Sequence, residues 1–144
     1  MIENEIKEFR SFTRFFTAYV GVLNKRFMDS KYSLPQTRVL HAVYTQHGIT
    51  TTEISSLLNM DKSYLSRILI SFEKKKLITK KISSRDGRAY HLSLTKAGQK
   101  EFAQIDTAYN KQVKGLLSQL SHHERTALMR SLNATKEVLS RYRL

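Results

Sequence analysis

Cysteine and tryptophan are missing from this chain of 144 residues, and proline occurs once. Without thiols there is no disulfide framework, no thiol redox switch and no cysteine nucleophile, which points to a reducing, cytoplasmic compartment. Long apolar runs are missing too. None approaches the roughly 20 residues needed to span a bilayer. The opening Met1-Ile2-Glu3-Asn4-Glu5 has neither the basic start nor the apolar stretch of a secretory leader. A soluble protein with no membrane partner is expected. There is no glycine-rich phosphate loop, no Gly-x-Ser-x-Gly and no convincing carboxylate pair, so an enzyme is not expected. His122 and His123 are adjacent at a helix start and point in different directions, while His41, His47 and His91 have no carboxylate or thiolate at ligand spacing. No metal and no cofactor is expected.

Acidic residues are scarce as well. Twelve stand against 25 lysines and arginines, for a formal charge of +13 and a sequence pI near 10.1. That balance calls for an anionic partner, either nucleic acid or an anionic surface. The charge is concentrated. Between Asp61 and Lys100 there are 11 basic and 3 acidic residues, so +8 of the excess lies in this stretch.

The same region carries the clearest local pattern. Thr50 to Leu94 reads as helix, three-residue turn, helix and a two-stranded hairpin. Thr50-Thr51-Thr52-Glu53 is a capping box that starts a two-turn helix with Ile54, Leu57 and Leu58 inside. Asn59-Met60-Asp61 makes the turn, and Asp61 caps a second helix running from Lys62 to about Lys75. Leu65, Ile68, Leu69 and Phe72 recur at three- and four-residue spacing and form its inner face. Lys62, Ser63, Tyr64, Ser66, Arg67 and Lys74 lie opposite. Hydroxyls beside cations suit a duplex groove, where hydroxyls meet base edges and cations meet phosphates. An ordinary amphipathic surface helix would show the same periodicity. Ile78–Ser83 and Arg88–Leu94 are strand-like, joined by Ser84-Arg85-Asp86-Gly87, and Asp-Gly is a strong hairpin signal. Lys76 stands where helices often place a left-handed glycine, at a cost of about 1 kcal/mol. The clustered lysines Lys74, Lys75, Lys76, Lys80 and Lys81 suit non-specific phosphate contact or a solvated face.

Long helices flank this core. Residues 3 to 30 carry Ile6, Phe9, Phe16, Val20, Leu23 and Phe27 on one stripe, widened by Phe12, Phe15 and Tyr19. Ser33 and Gln36 form a capping box around Pro35, opening a helix with Leu40, Val43 and Tyr44 inside and Gly48 at its end. Thr95 caps a helix from Lys96 to about Gln119, with Phe102, Ile105, Tyr109, Val113, Leu116 and Leu120 aligned. Ser121-His122-His123-Glu124 is a third capping box, starting a helix to about Tyr142 with Leu128, Leu132, Thr135, Leu139 and Tyr142 aligned. The expected fold is mainly α: one domain over residues 1–144, with a winged helix-turn-helix over 33–95, a two-stranded hairpin wing, and dimerisation helices over 1–32 and 96–144. A two-fold dimer would place two recognition helices about one duplex turn apart, or a multiple of it, on a pseudo-palindromic site.

At this point the sequence resembles a known family. The motif Asp61-Lys62-Ser63-Tyr64-Leu65-Ser66-Arg67, the segment Glu73-Lys74-Lys75-Lys76-Leu77-Ile78, and Ser84-Arg85-Asp86-Gly87-Arg88 followed by Leu92-Ser93-Leu94-Thr95-Lys96-Ala97-Gly98 are similar to the MarR (multiple antibiotic resistance regulator) family. Phe12 to Leu40 also resembles the DNA-binding portion of proteins that fuse such a regulator to an acetyltransferase, though a chain ending at Leu144 is expected to lack that second domain. The resemblance implies a homodimeric, ligand-responsive regulator that binds double-stranded DNA, usually as a repressor. It assigns DNA contacts to Lys62, Ser63, Tyr64, Ser66 and Arg67, and a wing role to Asp86, which would orient Arg88 into the minor groove, with Arg85 the alternative inserted group. It further implies a small aromatic or anionic effector. Phe12, Phe16, Tyr19, His41 and Tyr44 are the candidate lining, although the same aromatics also suit a plain core. Two competing readings are a non-specific nucleic-acid-binding protein acting through its basic surface, and a helical adaptor with no DNA role.

Overall fold

The computed structural model describes residues 1–26, 31–82, 87 and 90–142. Its elements run α1 (Ile2–Arg26), α2 (Leu34–Thr45), β1 (Ile49–Thr50), α3 (Thr51–Leu58), α4 (Lys62–Lys74), β2 (Ile78–Ile82), β3 (Tyr90–Leu94), α5 (Lys96–Leu117) and α6 (His122–Ser140). The chain comprises two compact units, Met1–Ile105 and Asp106–Leu144.

Helix starts follow the local chemistry. In each of the three capping boxes both reciprocal bonds form: Ser33 with Gln36, Thr50 with Glu53 and Ser121 with Glu124. Each pairing satisfies two backbone N–H groups that a helix start leaves without partners. The Ser121 hydrogen bonds also hold the Glu124 carboxyl below the usual glutamate range.

The first unit holds the core. Val39, Leu40 and Val43 of α2, Ile54 of α3, and Leu65, Leu69 and Phe72 of α4 are buried against Ile78, Leu92, Phe102 and Ile105. Tyr32 lies buried beside them, edge-on to Phe72 at 6.1 Å, and burial followed by the nearby Glu101 carboxylate raises its phenol above the ordinary range. Lys31 pairs with Glu101 at 3.1 Å, and that hydrogen bond raises its ammonium pKa.

The sheet departs from expectation. The hairpin is present, with Ile78 opposite Leu94, Lys80 opposite Leu92 and Ile82 opposite Tyr90. A third strand joins it: β1 pairs antiparallel with β3, giving the order β1-β3-β2. Gly48 makes this possible with φ +74, and its N–H donates to Leu92 O at 3.2 Å. His91 Nδ1 closes the same junction, 2.6 Å from Gly48 O. An extended dipeptide with open backbone groups gains partners by adding to a sheet edge, and this one does.

In the second unit, Arg125 Nη1 donates to Leu120 O at 2.9 Å and Leu117 O at 3.4 Å. A cation there satisfies carbonyls at the end of α5 and complements the negative end of its dipole. No residue of α6 is buried within the chain; Leu128, Met129, Leu132, Val138 and Leu139 are all exposed. Helix α1 behaves similarly, with Ile2, Ile6, Phe9, Phe12, Phe15 and Phe16 exposed.

Candidate nucleic-acid interface

The turn between α3 and α4 sets the direction in which α4 projects. Asn59 ends α3 in the left-handed conformation, φ +48, which asparagine tolerates better than most residues. Ser55 then locks the turn from both sides. Its carbonyl accepts from Met60 N–H at 3.0 Å, and its hydroxyl donates to Met60 O at 2.7 Å. Asp61 Oδ2 accepts from Tyr64 N–H at 3.1 Å and starts α4. With Leu65, Ile68, Leu69 and Phe72 inside the core, the phase of the helix is fixed, and Lys62, Ser63, Tyr64, Ser66 and Arg67 all face solvent.

The end of α4 is fixed just as tightly. Lys76 N–H donates to Glu73 O and Leu77 N–H to Phe72 O, each at 2.9 Å, with Lys76 at φ +57. This is the left-handed helix exit that more often carries glycine. Thr95 then fastens the start of α5 to it. The Thr95 hydroxyl donates to Lys76 O at 2.7 Å and accepts from Gly98 N–H at 3.0 Å. Gly98 sits so close that a Cβ there would stand 2.0 Å from Leu77 O.

One lysine links the wing to the helix. Lys80 Nζ lies 3.3 Å from Glu73 Oε2 and 5.5 Å from the Tyr90 ring centroid. It is therefore held by α4 and β3 rather than standing as a loose surface charge. Lys75 Nζ lies 5.0 Å from the Tyr32 ring centroid. Lys74, Lys76 and Lys81 are exposed along the same region.

The sequence model of the MarR family matches residues 32–90, from the start of α2 to the start of β3. Over that stretch the chain is similar to the MarR family. A Thauera aromatica protein named as a transcriptional regulator for the hcr operon is 26% identical over 125 residues, covering 87% of this chain and 69% of that protein. Wild-type MarR from E. coli, in its apo form, superposes with a TM-score of 0.75 at 22% identity, covering 90% of this chain and 95% of that one. The S. aureus MepR–DNA complex gives 0.74 at 22% identity, covering 89% and 98%. At these identities the structural likeness establishes the fold.

Within the segment similar to that family, Lys62, Ser63, Tyr64, Ser66 and Arg67 are all exposed in the first turns of α4. Arg85, Asp86 and Arg88 lie outside the described residues. The five effector candidates fall into three ring groupings, two along α1 and one between α2 and α5. Phe12 and Phe16 stack on each other along α1 at 5.6 Å, and Tyr19 stacks on Phe15 at 6.0 Å. His41 and Tyr44 instead meet Phe102 of α5, Tyr44 stacking at 4.5 Å and His41 tilted at 5.9 Å. A shallow recess of about 430 Å³ is lined by Thr13, Arg14, Thr17 and Ala18, none of them a predicted effector residue. Among the described residues no group of three or more histidine or acidic side chains is placed to hold a metal ion, and no helix is long and apolar enough to cross a membrane. Sequence reasoning did not foresee the contacts of Ser55, Glu73 and Gly98. Ser-x-x-x-x-Met carries no recognisable signal, and the other two act across elements.

Proposed function

We propose that this chain is a cytoplasmic, sequence-specific regulator that binds double-stranded DNA as a homodimer, acting as a ligand-responsive repressor. The observation that carries the reading is the outer face of α4. Ser63, Ser66 and Arg67 are exposed together opposite a fully buried apolar face, inside the segment similar to the MarR family and within a stretch carrying +8 net charge. Exposed hydroxyls and a guanidinium on one helix face can meet base edges, while the surrounding lysines meet phosphates. That MepR has been captured on DNA, and that the T. aromatica relative is named as a transcriptional regulator, supports carrying this chemistry to the present chain.

Lys62, Ser63, Tyr64, Ser66 and Arg67 are the major-groove contacts in this reading. Arg88, oriented by Asp86 or replaced in its role by Arg85, enters the neighbouring minor groove. The winged helix spans 33–95. The segments 1–32 and 96–144 pair with a second copy, which the exposed apolar stripes of α1 and α6 support. Sedimentation tests this directly: a dimer is expected, and a monomer at micromolar concentration refutes it. A small aromatic or anionic effector acts on the ring clusters of Phe12, Phe16, Tyr19, His41 and Tyr44. The exposed Tyr44 ring on Phe102 offers an aromatic ligand a stacking surface.

The deciding experiment is competition on the chain's own upstream region. Tight binding should survive an excess of scrambled duplex, weaken steeply with salt, and fall further in Arg88→Ala. Equal affinity for scrambled duplex would favour the alternative, a basic protein binding nucleic acid by charge alone.

A further inference from the structure

One side chain on the outer face of α4 breaks its chemistry. At about 100° per residue, the buried set Leu65, Ile68, Leu69 and Phe72 places the opposite, outward line along Ser63, Arg67, Ile70 and Lys74. Ile70 lies near the middle of that line and is 45% exposed, whereas Ile68 is 4% and Leu69 2% exposed. Helix propensity does not account for it, since a β-branched residue is a poorer choice at a solvated helix position than lysine, glutamate or alanine. A single exposed aliphatic side chain is ordinary on a protein surface. It is out of place in the centre of a stripe of hydroxyls and cations.

A major-groove floor presents hydrogen-bond donors and acceptors and one apolar group, the C5 methyl of thymine. An aliphatic side chain facing that floor has one favourable partner there. Arg67, one turn before Ile70, and Lys74, one turn after it, are long enough to reach guanine edges or phosphates on either side. The short, stiff isoleucine reaches only what lies directly in front of it.

We infer that Ile70 is a specificity-determining residue that selects a thymine by packing on its C5 methyl in the major groove. This rests on the DNA-binding reading of α4 proposed above and names part of what that helix reads. Burying one methyl against an aliphatic side chain corresponds to about 0.8 kcal/mol, or roughly a fourfold change in affinity per half-site.

The test uses the full chain and duplexes recovered by selection from a random pool. Each recovered half-site is expected to carry a thymine at one fixed position, and selection with Ile70→Ala to lose that preference while keeping the rest of the site. Replacing that thymine by deoxyuridine removes only the methyl. Wild type and Ile70→Val should each lose about fourfold per half-site, and Ile70→Ala, already weaker, should bind both duplexes equally. Two results overturn the inference while leaving sequence-specific binding intact: wild type indifferent to the uracil substitution, or Ile70→Ala as sensitive to it as wild type. If selection enriches no sequence at all, the DNA reading fails, and this inference fails with it. Ile70 is exposed, so Ile70→Ala should melt with wild type, which separates a lost contact from a lost fold.

Discussion

Replacing Lys76 with glycine should stabilise this protein, and the expected size follows from the geometry. Lys76 has φ +57, a conformation in which a Cβ crowds the following carbonyl. The chain holds it there through four hydrogen bonds. Lys76 and Leu77 N–H groups donate into the last turn of α4, while the Thr95 hydroxyl and N–H donate to Lys76 O and Leu77 O. The penalty for a left-handed non-glycine residue is about 1–2 kcal/mol. Glycine removes it but adds freedom to the unfolded chain, which takes back about 0.4–1 kcal/mol. The net gain should be about 0.5–1 kcal/mol, or a rise of about 1–4 °C in melting temperature for a chain of this size. The control is Lys76→Ala, which removes the same charge and keeps the Cβ. It should match wild type to within about 0.5 kcal/mol. Urea unfolding followed by circular dichroism, at one fixed protomer concentration, compares the three proteins. If Lys76→Gly is no more stable than Lys76→Ala, the left-handed residue is not strained.

Gly98→Ala should destabilise despite alanine's better helix propensity, because the new Cβ would meet the Leu77 carbonyl oxygen at 2.0 Å; a loss of about 2–3 kcal/mol by urea unfolding is expected, and a neutral result would refute the packing. Phe72→Ala should cost about 3–5 kcal/mol by the same assay, since Phe72 is fully buried, and a loss below 1 kcal/mol would show the core to be elsewhere. Lys80→Ala should cost under about 1 kcal/mol, because the Glu73–Lys80 pair is partly solvated, and the double-mutant coupling with Glu73→Gln should shrink in high salt. The Ser121–Glu124 box sets a pH dependence. The Glu124 carboxyl is held below its usual range in the fold, so the unfolded chain takes up the proton first. The stabilisation is therefore present at neutral pH and lost as pH falls through and below the ordinary glutamate range. Ser121→Ala should flatten that part of the acid-stability profile, and an unchanged profile would remove Glu124 from the account.

The parts that were legible in the sequence are those whose interactions are local. All three capping boxes join residues three apart, and all three form as read. Asp61 as the cap of α4, the Asn59–Asp61 turn and the left-handed Lys76 likewise depend on one turn of chain. The inward phase of Leu65, Ile68, Leu69 and Phe72 was readable from their spacing. The outward phase of Ile70 follows from the same arithmetic. The pairing of β1 with β3 was not readable. Ile49-Thr50 is too short to carry an alternating pattern, and its partners Leu92 and His91 lie more than 40 residues away. Nor did composition separate Lys80, held by Glu73 and Tyr90, from the lysines around it.

Alone, then, the sequence determined where the capped helices begin, which residues of α4 turn inward and where the positive charge accumulates, whereas Leu57 and Tyr44, read as inner residues, are exposed. Each of those determinations depends on neighbours within a turn or two, or on a simple count. Tertiary structure decided that a dipeptide becomes a third strand, that Gly98 must lack a side chain, and that Lys80 ties the wing to α4. Those outcomes rest on contacts of a few ångströms between distant segments, which only a packed chain brings together.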